Sequence, residues 1–147
     1  MRRRTGLLLC GWAPLSLAGC RDPTTVPQLS AELRSPEAKE RRSAADDLRM
    51  DGGVPQQAIQ PLLDAISQER DKYAHGAMMI TLGKSGVPEA KPHIDGAIPV
   101  PDEDVRRWAT RALRYWLVAT GQMGADQDLP DGWPYGQPGF PPPLPDD

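Results

Sequence analysis

Asp102-Glu103-Asp104-Val105-Arg106-Arg107-Trp108-Ala109-Thr110-Arg111-Ala112-Leu113-Arg114-Tyr115-Trp116-Leu117-Val118-Ala119-Thr120 carries the pattern on which the fold turns. Val105, Trp108, Ala109, Ala112, Leu113, Trp116 and Leu117 recur at three- and four-residue intervals, which places them on one face of an α-helix. Arg106, Arg107, Arg111 and Arg114 lie off that face. Asp102 can cap the start, Glu103 and Asp104 put negative charge where the helix dipole favours it, and Gly121 supplies a stop. The spacing predicts a helix over 102–120 whose apolar side needs a partner.

Sliding the chain against itself supplies one. The same unit returns at a period of about 32 to 33 residues, in the range of helical-repeat arrays. Leu29, Leu62 and Ile94 align, then Leu33, Ile66 and Ile98, and in the following helix Ala44, Ala77 and Ala109. Each unit reads as a short helix and a longer one. The turns repeat as well: Gly53-Val54-Pro55 matches Gly86-Val87-Pro88, and Ser35-Pro36-Glu37 has the form of a helix start with a capping Ser and a first-turn Pro. The pattern predicts an all-α fold, a short α-solenoid of about three helix pairs. A plain helical bundle would accommodate the same spacing without the stacked order. Three units are near the minimum for stacking to bury a continuous core.

Along the longer helix a basic residue is followed by a small residue and a leucine, as Arg41, Ala44 and Leu48 and again as Arg106, Ala109 and Leu113. In this the segment from Val26 to Gly121 resembles HEAT repeats, particularly the short type named after phycobilisome lyases. The middle copy departs, with Ala74 at the basic position and Thr81 at the leucine position, unless Leu82 substitutes by a one-residue shift. The resemblance implies a surface that binds other proteins by extended shape and charge complementarity. It also leaves open an accessory subunit or lyase-like enzyme.

Composition agrees with packed helices. Aromatic residues make up only 5% of the chain, with a single Phe, so Ala, Leu, Ile and Met carry the apolar load. Of 17 prolines, those at 130, 134, 138, 141, 142, 143 and 145 crowd the C-terminus, which separates residues 122–147 from the repeat region as a Pro/Gly-rich, acidic and disordered tail. Asp126, Asp128, Asp131, Asp146 and Asp147 lie beyond Gly121 with no basic residue among them. The repeat region is close to neutral, and bulk attraction to nucleic acid is not expected.

The N-terminus reads as an export leader. Arg2, Arg3 and Arg4 precede an uncharged stretch, Thr5 to Gly19, with apolar runs around Leu7-Leu8-Leu9 and Leu15 to Leu17. Interrupted by Pro14, that stretch is short of the roughly 20 residues a spanning helix needs. Leu17-Ala18-Gly19-Cys20 resembles the bacterial lipobox at all four positions. The resemblance implies cleavage before Cys20, diacylglycerol on its sulfur and an N-acyl chain on its new amino group. Each buried methylene contributes about 0.8 kcal/mol, so two or three chains anchor stably. Ordinary secretory cleavage after Ala18 is the other reading. The domains expected are a leader over 1–19, a lipidated tether over 20–25 with a reach of about 20 Å, the repeat domain over 26–121 and the tail. Arg21 after the cysteine resembles outer-membrane rather than inner-membrane lipoproteins of two-membraned bacteria, facing the periplasm. In bacteria with one membrane, the outer face of the cytoplasmic membrane is expected.

Chemical motifs are sparse. Gly83-Lys84-Ser85 has the end of a phosphate loop, but Met78 stands where that loop needs Gly, so a helix-ending turn is expected. His75 and His93 stand in different helices with no second His at metal-pair spacing, and no metal or other cofactor is expected beyond the lipid on Cys20. Asp102, Glu103 and Asp104 read as helix-start residues rather than a cation site. Arg106, Arg107, Arg111 and Arg114 form a basic stripe able to contact acidic headgroups or an acidic partner, or to serve only as a solvated face. Trp133, Tyr135 and Phe140 in the tail suggest either a loose spacer or a segment folded over the exposed end of the last repeat. The expected role is a non-enzymatic binding module or scaffold for an unidentified envelope protein, with a purely structural envelope lipoprotein as another reading. Oligomeric state is open.

Overall fold

A computed structural model describes residues 25–49 and 53–129, and among these there are six α-helices and no strand. They are α1 (Thr25–Glu32), α2 (Ala38–Leu48), α3 (Gln56–Ile66), α4 (Lys72–Ser85), α5 (Lys91–Ala97, entered through a 3₁₀ turn at Pro88–Ala90) and α6 (Glu103–Ala119). Consecutive helices pack as pairs, α1 on α2, α3 on α4, α5 on α6. The longer members form one layer in which α4 sits between α2 and α6, and α1 packs on α3 in the other. This is the stacked order of a short α-solenoid rather than a bundle. Cys20, with Leu17, Ala18 and Gly19, lies outside the described residues, as do Trp133, Tyr135 and Phe140. No helix among the described residues is long and apolar enough to cross a membrane.

The repeat positions are the core. All the aligned residues named above are buried, none more than 7% exposed. In α6, Asp102 accepts from the N–H groups of Asp104 and Val105 at 2.9 and 3.2 Å, and Gly121 ends the last turn at φ 75°. Gly86 turns α4 into the third unit at φ 70°, and the following Val87 carbonyl accepts from Trp116 Nε1 at 3.0 Å, so this turn is pinned to α6.

One expectation is revised, and one choice left open by the sequence is decided. Ser35-Pro36-Glu37 does not form the first turn of α2, which begins at Ala38. Ser35 Oγ does accept from the Glu37 N–H at 3.1 Å, but the carbonyls of Ser35 and Pro36 accept from the Arg41 guanidinium at 2.8 and 3.0 Å rather than entering the helix. Arg106 reaches the Pro101 carbonyl at 3.3 Å in the same way, so the repeated basic position ties the long helix to the turn before it. The middle copy keeps its register without a one-residue shift: Thr81 is fully buried at the leucine position, with its hydroxyl against the carbonyls of Ala45 (2.8 Å) and Ala77 (2.9 Å). Leu82 is buried too, because α4 is covered by α2, α3 and α6 and carries no polar stripe to alternate with its apolar face.

Close approach of α4 to α6 rests on two glycines one heptad apart. A Cβ on Gly76 would overlap the Trp108 ring, and one on Gly83 would overlap the Ala112 carbonyl oxygen. The start of the tail also departs from an extended spacer. The N–H groups of Gln122 and Met123 donate to the Leu117 carbonyl, and Arg114 holds the carbonyls of Ala125 and Gln127, both at 3.1 Å, and the Asp128 carboxylate at 3.4 Å. Residues 130–147 lie outside the described residues.

Candidate interaction surface

The outward side of α2, α4 and α6 forms a cleft of about 140 Å³ whose lining includes Arg42, Asp46, Arg49, Tyr73, Trp108 and Arg111. Its centre is aromatic. Tyr73, 46% exposed, is the one large hydrophobic residue in the exposed class among the described residues. Its ring meets Trp108 at 5.5 Å between centroids with a 59° tilt. The local sequence explains this placement. Asp71 caps α4 through the N–H groups of Tyr73 and Ala74 at 3.0 and 2.9 Å, which sets Tyr73 in the first turn, and Gly76, one turn on, admits the Trp108 ring against the helix backbone.

Positive charge surrounds the rings. The Arg42 guanidinium lies 5.7 Å from the Tyr73 centroid and Lys72 Nζ lies 5.2 Å from it, both within cation–π range. Asp46 pairs with Arg49 at 2.7 Å and approaches Arg42 at 3.9 Å, so the lining carries three arginines against one carboxylate. Arg111 donates to the Tyr115 hydroxyl at 3.2 and 3.3 Å and lies over that ring. The hydrogen bond from Arg111 holds the Tyr115 phenol below its ordinary range against the opposing effect of burial, with Arg111, Arg49 and Lys84 adding to the lowering through their charge. The cations near Tyr115 come from Arg49 just past α2, Lys84 on α4 and Arg111 on α6.

The four arginines read as one stripe have separate fates. Arg106 turns to the Pro101 carbonyl, and Arg114 is engaged by residues 125–128. Arg107 is exposed beside Glu103 (3.0 Å) and Asp104 (3.8 Å). Only Arg111 lines the cleft. Sequence reading missed Arg42, Arg49 and Tyr73. A signal was present for the first: Arg42 and Arg107 each follow the family's basic residue, so they occupy one repeat position.

Other groups with chemical interest are accounted for by structure. Lys72 bridges Asp102 at 3.0 Å and Asp104 at 3.4 Å, which raises the lysine and lowers Asp102, so the acids at the head of α6 are cap and ion pair. Lys84 donates to the Arg49 carbonyl at 2.8 Å and Ser85 to that of Leu82 at 2.6 Å, as the end of a helix requires. His75 and His93, on α4 and α5, are not independent. Burial lowers the His75 pKa, and the charge of His93 lowers it further. Among the described residues no group of three or more His, Cys, Asp or Glu is placed to hold a metal ion.

A larger cavity of about 580 Å³ opens at the turns of the first two units, lined among others by Leu33, Arg34, Arg41, Asp64, Glu69 and Arg70. At its base the Arg41 guanidinium meets Glu69 at 2.6 and 2.8 Å, and Glu69 also accepts from the N–H groups of Arg70 and Asp71, both at 2.9 Å. The carboxylate accepts from the guanidinium and from two backbone N–H groups, so the pair is a bolt between the first two units.

A family model described as HEAT repeats matches residues 15–114, more than half of the chain. No curated protein and no solved structure matches it.

Proposed function

This chain belongs to the HEAT-repeat family, and from that membership we propose that it is a non-enzymatic protein-binding module whose contact surface is the cleft on the long helices. One observation carries the reading: Tyr73 stands exposed against the partly buried Trp108 ring on a platform of three packed helices, framed by Arg42, Arg49 and Arg111. Aromatic and Arg side chains dominate binding energy at protein interfaces: the rings bring large area at low conformational cost, and the guanidinium brings charge that selects the partner. Here the charge selects an acidic segment. We place the module in a bacterial envelope, tethered by lipid on Cys20. The complete lipobox match supports this, and α1 begins five residues after that cysteine, which keeps the domain close to the headgroups.

Photo-crosslinking in membranes from a residue beside the cleft, followed by mass spectrometry, tests the binding role. Wild type is expected to capture a defined acidic partner, and Tyr73→Ala combined with Arg111→Glu should reduce capture about tenfold while helical circular dichroism is retained. Equal capture by the variant would remove the cleft from the interface. For the anchor, intact mass of the membrane fraction is expected to show a chain beginning at Cys20 with two or three acyl chains. An unmodified product beginning at Gly19 would overturn the tether.

A further inference from the structure

The chain carries its own acidic, aromatic segment next to this cleft. Arg114 lies one helical turn beyond Arg111 on the same side of α6 and is bonded to residues 125–128. The described chain therefore ends near Arg114, one helical turn from Arg111, which lines the cleft. Beyond Leu129, residues 130–147 hold Asp131, Asp146 and Asp147, the aromatic residues Trp133, Tyr135 and Phe140, and no Lys or Arg. An extended run covers about 3.1 Å per residue, so these residues reach on the order of 55 Å. Crossing from α6 to α2 over two interhelical spacings needs only about 20 Å.

We propose that residues 130–147 occupy the Tyr73–Trp108 cleft in cis and compete with the partner for it. Order along the chain matches order across the surface. Asp128 is paired with Arg114; a tail docked in the cleft would bring Asp131 to Arg111 next, and then Trp133 and Tyr135 to the aromatic pair. Exposed proline and aromatic faces stack on Tyr and Trp, and the terminal aspartates meet Arg42 and Arg49 beyond them. Folding over the far end of the last repeat has less to recommend it, because Trp116 is buried there and the exposed aromatic surface is at Tyr73. As a mode of regulation, the proposal rests on the cleft being the partner site. Docking of the tail does not.

The test uses the full chain with Tyr73 replaced by p-benzoylphenylalanine, irradiated as an equal mixture of ordinary and ¹⁵N-labelled protein. Expected are crosslinks from position 73 into residues 130–143 within chains of one isotope, with a yield unchanged over a roughly tenfold dilution. Asp131→Lys with Trp133→Ala, changes that touch no residue of the helices, should lower that yield by about fivefold or more. Mixed-isotope crosslinks, crosslinks confined to residues up to 129, or a yield indifferent to the tail variant would each overturn docking in cis. Partner capture from membranes is read separately, so a partner-binding cleft with no docked tail would fail this proposal and leave the binding role standing.

Discussion

Gly83→Ala is expected to destabilise the domain by about 2 kcal/mol, the opposite of what helix propensity alone gives. In an unobstructed helix the change would stabilise by up to about 1 kcal/mol, since alanine loses less backbone entropy than glycine. At Gly83 the added methyl meets the carbonyl of Ala112, and backbone cannot rotate aside as a side chain can. Either α4 and α6 move apart, loosening the largest helix contact of the domain, or the local hydrogen bonding of α6 distorts. Overpacking of this sort costs typically 1–3 kcal/mol and here must first cancel the propensity gain. Gly96→Ala is the control. Apart from its own helix backbone and chain neighbours, no atom lies within 4 Å of a Cβ built there. It should be neutral or stabilise by up to about 0.5 kcal/mol. Urea denaturation of the two variants checks the pair, and a stabilised Gly83→Ala would show that the α4–α6 contact is looser than described.

Arg41→Ala should cost about 2 kcal/mol at neutral pH, because the Glu69 carboxylate, half-buried at the base of the larger cavity, loses its charged hydrogen-bond donor and keeps only two backbone N–H groups. The same truncation frees the carbonyls of Ser35 and Pro36, so the turn into α2 loses its clamp. The effect carries a pH signature. The hydrogen bond from Arg41 is the largest influence holding Glu69 below its ordinary range, ahead of the opposing effect of burial, with backbone donation from Asp71 and Arg70 assisting. A carboxyl whose folded pKa lies below its unfolded value contributes stability that is complete above the unfolded value, near 4.3 for Glu, and is lost as pH falls through the folded one. The gap between wild type and Arg41→Ala should therefore be widest at neutral pH and narrow in acid. Replacing both partners with apolar residues of similar volume should cost far less than either single truncation, because no buried charge is then left unpaired. Urea melts at pH 7 and pH 3 check this. A gap independent of pH would assign the cost of Arg41→Ala to the turn rather than to the ion pair.

Much of the architecture could be read along the chain because its causes are local. The face of α6, its Asp102 cap, the Gly-Pro turns and the buried Leu, Ile and Ala positions of each unit follow from the helical period and from backbone groups that must be satisfied within one turn. The lipobox resemblance on which the proposed tether rests is likewise a pattern of adjacent residues, and it lies outside the described residues. What escaped was whatever depends on two segments meeting. α4 shows no stripe in sequence because three neighbours cover it, Gly76 and Gly83 look like helix weaknesses until α6 lies against them, and Arg41 finds Glu69 across 28 positions. The four arginines of α6 had equal standing as a pattern, yet the Pro101 carbonyl and residues 125–128 claim two of them. Periodicity tells which side of a helix turns inward. Which outward side chains stay open, and whether they gather into one cleft as Tyr73, Trp108 and Arg111 do, is decided by the stacking of helices far apart in the chain, since only that stacking sets which charges are paired and which rings are covered.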